Sequence, residues 1–156
     1  MKVFIMRHGE AEMYAPSDEE RNLTPHGESQ SAKIAQWLMK THQVQFDYVL
    51  VSPYVRAQQT WNTIKPILNV ADAKVETSDE ITPYGDSDDV VEYVKALGSV
   101  EDIDNILIVS HLPLVGYLTA DFVPGIMPPM FPTSAISCVE FSHSTGKSAL
   151  LWLQQV

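Results

Sequence analysis

The stretch Val3-Phe4-Ile5-Met6-Arg7-His8-Gly9-Glu10 is a short apolar run that stops abruptly at an arginine and a histidine. An uninterrupted apolar run reads as a strand buried on both faces, the kind that lies inside a parallel sheet. Arg7 and His8 do not belong in the core such a strand builds. They therefore mark its carboxyl end, where open parallel sheets bind ligands. A guanidinium offers a fork of donors that matches phosphate oxygens, and an imidazole offers a nitrogen that can take up a phosphoryl group. A buried sheet and an anion site at one of its edges are the two expectations this stretch sets.

Outward from it, strand-like and helix-like segments alternate to the end of the chain. Lys2–Met6 reads as the first strand, Phe46–Val51 as the second, Lys74–Thr77 as a weak third and Asn105–Val109 as another strong one. A helix is expected over Thr24–Lys40, with Thr24 as N-cap, Pro25 in the first helical position, and Ile34, Ala35, Trp37 and Leu38 as apolar positions. Ser52 and Pro53 read as the start of a second helix, which Pro66 ends. Ser87–Leu97 carries Val90, Val91, Val94 and Leu97 on one side, with Gly98 as its stop, and a fourth helix runs from Pro113 to about Phe122. Residues 123–132 are rich in Pro, Gly and Met and read as a loop. Ala135–Phe141 and Ser148–Leu153 flank a polar turn and read as a hairpin. The expected fold is α/β: a three-layer domain with a mainly parallel sheet and helices on both faces, spanning residues 1–156 as a single unit.

Composition narrows the function. At 156 residues, 45% apolar and 19% charged, the chain matches an ordinary soluble globular protein with one sizeable core. Cys138 is the only cysteine, so no intrachain disulfide forms and a reducing compartment is expected. The opening apolar run is too short for a signal-peptide core or a membrane span, which adds to the expectation of a cytoplasmic protein. A net charge of −10 argues against nucleic acid and anionic membrane as partners. It also singles out the three arginines, Arg7, Arg21 and Arg56, as the fork-shaped binders of any phosphate. The histidines lack the close spacing of metal-ligand sets, and there is neither a Walker-type glycine loop nor a GxSxG elbow, so no metal or cofactor is expected.

Read in order, the strand ends present Arg7-His8-Gly9, then Ser52-Pro53-Tyr54-Val55-Arg56, then Asp79-Glu80, then Ser110-His111-Leu112-Pro113. Each has an ordinary explanation by itself. A histidine at a strand end is more often a structural residue, Thr60 could serve packing alone, and Asp79-Glu80 could be an exposed acidic turn. Arg56 in a first helical turn could be a solvated charge, although a cation there opposes the helix dipole unless an anion lies beside it. His26, His42 and His143 receive no role. Convergence of four strand ends on one edge is what argues for a site.

These residues resemble the histidine phosphatase (phosphoglycerate mutase-like) superfamily. Arg7-His8-Gly9-Glu10 looks like its signature, Leu23-Thr24-Pro25-His26-Gly27 like its LTxxG element, Ser52–Thr60 like SPxxRAxxT, and Ser110-His111 like its second-histidine motif. Ser110–Leu118 and Pro128–Ala135 are similar to stretches typical of the SixA-type phosphohistidine phosphatase branch. The resemblance implies His8 as a nucleophile that forms a phosphohistidine, with Arg7, Arg56 and His111 around the phosphoryl group and no metal. It implies Arg21 as a further phosphate or substrate contact and Glu80 as a possible general acid.

Relatives that act as mutases carry a helical lid between the acid and the second histidine. Here the Ser87–Leu97 helix and a strand fill that stretch, so no lid subdomain is expected. A lidless site suits a side chain standing up from another protein, and the implied partner is a phosphohistidine-bearing protein, such as a histidine phosphotransfer domain or a phosphotransferase-system carrier. A phosphorylated imidazole leaves readily once its other nitrogen is protonated, which makes Glu80 less necessary than for an ester. Two alternatives stay open: a small-molecule phosphomonoesterase of the same superfamily, and a non-catalytic phosphohistidine-binding module, against which the presence of His8 argues.

Overall fold

The computed structural model describes all 156 residues. The opening apolar run lies in β1 (Lys2–Arg7), and its four apolar side chains are buried on both faces of one sheet. Val3 and Ile5 enter one core, Phe4 and Met6 the other. The same alternation runs through β2 (Tyr48–Val51) and β4 (Asn105–Ser110), where Leu50, Ile106 and Ile108 face the first core and Val49, Leu107 and Val109 the second. Continuous apolar runs are what two covered faces require.

The sheet has six strands in the order β3-β2-β4-β1-β5-β6, with β3 at Lys74–Thr77, β5 at Ile136–Phe141 and β6 at Ser148–Gln154. β3, β2, β4 and β1 run parallel, whereas β5 is antiparallel to β1 and forms the expected hairpin with β6. On one face, α3 (Ser87–Val100) and α4 (Leu114–Phe122) bury Val90, Val91, Val94, Leu114, Val115 and Leu118 in the first core. On the other, α1 (Pro25–His42) and α2 (Val55–Ile64) bury Ile34, Ala35, Leu38, Ala57, Trp61 and Ile64 in the second. Each large side chain so buried contributes roughly 1.5–3 kcal/mol, and Phe4 adds an edge-on contact with Phe46 at 5.1 Å. No helix is long and apolar enough to cross a membrane.

Local sequence explains most element ends. Thr24 caps α1 by accepting from the Gly27 N–H at 3.0 Å, with Pro25 at the first helical position. Three boundaries differ from expectation. Tyr54, not Ser52, precedes α2, because the Ser52 side chain is engaged elsewhere. Gly98 does not stop α3, which runs on to Val100: a Cβ there would meet Met1 Sδ at 2.6 Å and the His143 ring at 2.7 Å, so this glycine permits close packing. The second strand proper begins at Tyr48, since Phe46 is held off the ladder by its N–H bond to the Asn69 carbonyl.

Candidate active site

Parallel register sets the site. Arg7 of β1 lies opposite Ser110 of β4, and Met6 lies opposite Val109. Beyond the last pairs, the His8 N–H donates to the Ser110 carbonyl at 3.0 Å and the Ser52 N–H to the Val109 carbonyl at 3.1 Å. His8, Ser52 and His111 therefore emerge side by side at the carboxyl edge, and the two histidine rings stand 5.1 Å apart. Two glycines make room for the first turn. A Cβ on Gly9 would meet the Gly27 carbonyl at 2.5 Å, and one on Gly27 would meet the Glu10 carbonyl at 2.1 Å, so the loop after β1 can seat against the start of α1 only with both bare.

His8 is 5% exposed and its tautomer follows from its partners. Nδ1 lies 2.6 Å from the Gly9 carbonyl, which can only accept, so Nδ1 carries the proton. Nε2 is then the lone-pair nitrogen, and Arg56 Nε donates to it at 3.2 Å. Burial first, and then the charges of Arg56, Arg7 and Arg21, push the His8 pKa down to about 3, although the bond to Gly9 works the other way. The result is a neutral imidazole whose unprotonated Nε2 accepts only the Arg56 bond, the protonation state a nucleophile needs. Thr60 supports this turn: its hydroxyl donates to the Arg56 carbonyl at 2.8 Å and accepts from the Gly9 N–H at 3.0 Å.

His111 is 1% exposed, and its pKa is lowered to about 2 by burial and by the charge of the His8 site and the arginines. Its Nε2 sits 2.7 Å from Ser52 Oγ, while Nδ1 is buried with no partner. Ser52 Oγ already accepts from the Tyr54 N–H at 3.3 Å, and its own proton is free to be donated to His111 Nε2. With Ser52 Oγ donating to Nε2, the imidazole proton lies on Nδ1, a buried donor with no partner. Tyr54 packs edge-on against the His111 ring at 5.0 Å and under the Arg56 guanidinium at 5.1 Å.

Arg56 is 4% exposed and far from the solvated charge its helix position suggested. The loop after β1 folds over it: Nη1 donates to the Asp18 carbonyl at 2.6 Å and Nη2 to the Asp18 carboxylate at 3.1 Å. The other carboxylate oxygen takes Arg21 Nη1 at 3.1 Å, and Arg21 Nε donates to the Glu12 carbonyl at 2.7 Å. Asp18 thus bridges the two arginines. Their bonds and charges hold its carboxyl below the ordinary value against partial burial, which acts in the opposite sense. Arg7 Nη1 donates to the Phe131 carbonyl at 2.8 Å, and its Nε is a second buried donor with no partner. Of the expected residues, the structure sets Arg56 and His111 directly against His8, brings the charge of Arg7 to bear on it, and ties Arg21 to Arg56 through Asp18.

Glu80 is not brought in. It lies on a short 3₁₀ turn, Asp79–Ile81, exposed, and its only hydrogen bond runs from its N–H to Ser78 Oγ. Its side chain lines a cleft of about 380 Å³ with Glu76, Asp89 and Tyr93. Chemically, the pocket offers one nucleophilic nitrogen ringed by guanidinium and imidazole donors, two of them unpaired. It is preorganised for an anion with several equatorial oxygens.

Residues 3–85 match the family model described as histidine phosphatase superfamily (branch 1). The chain is 45% identical over 152 residues to phosphohistidine phosphatase SixA of Escherichia coli (strain K12), covering 97% of this chain and 92% of that one. The chain belongs to the histidine phosphatase superfamily. A SixA homolog of Haemophilus influenzae is 43% identical over 126 residues, covering 78% of this chain and 76% of its own length. Among solved structures, that of the protein histidine phosphatase SixA complexed with tungstate superposes with a TM-score of 0.93 at 44% identity, covering 99% of this chain and 97% of that one. The superfamily fold and the SixA-type likeness agree with the sequence reading.

Within this superfamily framework, sequence reasoning missed three positions. Asp18 had one visible signal, an acid three residues before Arg21 in a loop beside the signature. Ser52 and Thr60 both fall in the SPxxRAxxT-like stretch, but their contacts, to His111 and to Gly9, cannot be seen along the chain.

Proposed function

We propose that this chain is a protein phosphohistidine phosphatase in which His8 is the nucleophile. The observation that carries the reading is the His8 tautomer: Nδ1–H fixed on Gly9, and Nε2 unprotonated with its lone pair on Arg56 Nε. In the first step, Nε2 attacks phosphorus in line and the bond from phosphorus to the partner's imidazole nitrogen breaks. The partner's ring leaves as neutral imidazole, its other nitrogen having been protonated beforehand. His8 becomes a phosphorylated imidazolium whose Nδ1–H stays on the Gly9 carbonyl. In the second step water attacks phosphorus, the His8–phosphorus bond breaks, and the water proton passes to phosphate and solvent.

Phosphate moves between two imidazoles in the first step, so that step lies near balance, and hydrolysis drives the cycle. Arg7, Arg56 and the Nδ1–H of His111 hold the equatorial oxygens, and Arg21 acts through Asp18. Tungstate is a tetrahedral oxyanion like phosphate, and its presence in the similar SixA structure supports an oxyanion pocket here. The Glu80 carboxylate makes no hydrogen bond or ion pair with His8, Arg56 or His111, which fits a leaving group that needs no general acid from the enzyme. A partner such as a histidine phosphotransfer domain or a phosphotransferase-system carrier, met in the cytoplasm, fits the same reading.

The test is to quench turnover of a phosphohistidine protein and map phosphate on the enzyme. An acid-labile, base-stable phosphate on His8, absent in His8→Ala, is expected. Full activity without any labelled His8 would sink the covalent route. Faster turnover of sugar phosphates than of phosphohistidine would move the activity to the phosphomonoesterase class.

A further inference from the structure

Charge is sorted between the two ends of the sheet. Ten of the 20 carboxylate residues lie in residues 8–24 and 78–89, the segments that follow the carboxyl ends of β1 and β3. Those segments contain no lysine, and neither do residues 52–54, 111–113 or 131–135, which complete the same edge. Six of the seven lysines sit toward the opposite end. Lys2 and Lys74 begin β1 and β3, Lys40 and Lys65 end α1 and α2, Lys95 lies in the second half of α3, and Lys147 lies in the β5–β6 turn. Only Lys33, in the middle of α1, departs from this pattern.

The acidic segments reach the pocket itself, since Asp18 touches Arg56 and the charges of Glu19 and Asp18 act on Tyr54 beside His111. Among the acids stand the exposed apolar side chains of Met13, Tyr14 and Tyr84, and exposed Met130 adjoins Phe131, whose carbonyl holds Arg7. The cleft beside the site has the same make-up, with Glu76, Glu80 and Asp89 above buried Leu50, Ile81 and Val90. At the centre lie the unpaired Nδ1 of fully buried His111 and the unpaired Nε of Arg7, both waiting for an anion. A cationic pocket inside an acidic collar repels a free polyanion at long range and favours a phosphate whose carrier is positive.

We infer that this collar is the docking surface for a phosphohistidine protein whose phosphorylated side chain stands on a convex face bearing lysines or arginines around an apolar patch. Exposed Met and Tyr supply adaptable contact area, and the acidic cleft accepts a basic side chain lying over an apolar base. The inference rests on the phosphohistidine phosphatase reading above and adds what kind of surface must surround the phosphate.

The experiment uses three probes: free phosphohistidine, and two short synthetic phosphohistidine peptides flanked by lysines or by glutamates. At low salt, kcat/KM for the lysine-flanked peptide is expected to exceed that for the glutamate-flanked one by about 10-fold or more. Near 0.5 M salt the two should come within about twofold, because collar and peptide charges are exposed and screened. The variant Glu12→Lys/Glu19→Lys/Asp79→Lys/Asp88→Lys changes four exposed carboxylates that carry no hydrogen bond or ion pair, and it should erase the preference, with free phosphohistidine as internal reference. Equal rates on both peptides, or a preference that survives in the fourfold variant, overturn the collar while leaving the phosphatase reading intact. Hydrolysis of none of the three probes removes the phosphatase reading and the collar with it.

Discussion

Replacing Arg56 with lysine keeps the charge and removes the fork, and the geometry sets how much that costs. Arg56 makes three bonds at once, to His8 Nε2, to the Asp18 carbonyl and to the Asp18 carboxylate, with directions that only a planar guanidinium supplies. An ammonium is a point donor on a stem and cannot face the nucleophile and the loop together. When a phosphoryl group enters, the nitrogen that rests on His8 is the one placed to turn to an equatorial oxygen. Loss of one such preorganised donor costs about 2.7–4 kcal/mol in the transition state, which is about 10²–10³ in kcat. Both chemical steps pass through the same pocket, so phosphorylation of His8 and its hydrolysis should slow together. Rapid-quench kinetics on a phosphohistidine peptide would resolve the two, with a thermal melt to show that Arg56→Lys is folded. A folded variant with kcat within threefold of the parent would mean that Arg56 does not face the phosphoryl group, and the site as described would be wrong.

Ser52→Ala should leave His111 free to adopt the tautomer with a bare Nδ1 and lower kcat/KM by about 5–150-fold, the range expected for about 1–3 kcal/mol of lost hydrogen bonding, while Ser52→Thr restores most of it; parental rates in the alanine variant would remove Ser52 from the site. Acid should destabilise the fold in a defined window. His8 and His111 are neutral in the folded chain, with values near 3 and 2, but take up protons near pH 6.5 when unfolded, so stability is full above that pH and falls as pH drops from 6.5 toward 3. Each histidine adds a slope of up to about 1.4 kcal/mol per pH unit; urea titrations from pH 7 to 4 should show a shallower slope for His8→Asn/His111→Asn, and equal slopes refute the assignment. Glu80→Gln should change phosphohistidine turnover less than threefold, because its carboxylate contacts none of the pocket residues; a hundredfold loss would place it in the chemistry after all.

The sequence displayed the parts of this molecule that depend on chain order. Buried apolar runs announced β1, β2 and β4, and polar residues directly after such runs had to lie at one edge, so His8, Arg56 and His111 could be named before any coordinate. What stayed hidden depends on contacts across loops. Arg56 could be named as a phosphate binder, but nothing local says that Asp18 folds over it and takes two of its donors. For Glu80, strand order shows where its turn lies, but not that its side chain lines a cleft with Glu76, Asp89 and Tyr93. Gly98 looked like a stop signal because a close approach by Met1 and His143, distant in the chain, leaves no local mark.

The strand order carries one more consequence, for synthesis. β4 lies between β1 and β2, so the first three strands cannot form their final sheet until β4 has been made and inserted between them. A ribosome that has released residues 3–85, the span matched by the superfamily model, has released every arginine and His8 but not His111 or the Phe131 carbonyl that steadies Arg7. Until then β1 and β2 offer unpaired edges and His8 has half a pocket. The nucleophile therefore comes into being late, in the same event that closes the centre of the sheet, and a growing chain cannot take phosphate from a partner before it is folded.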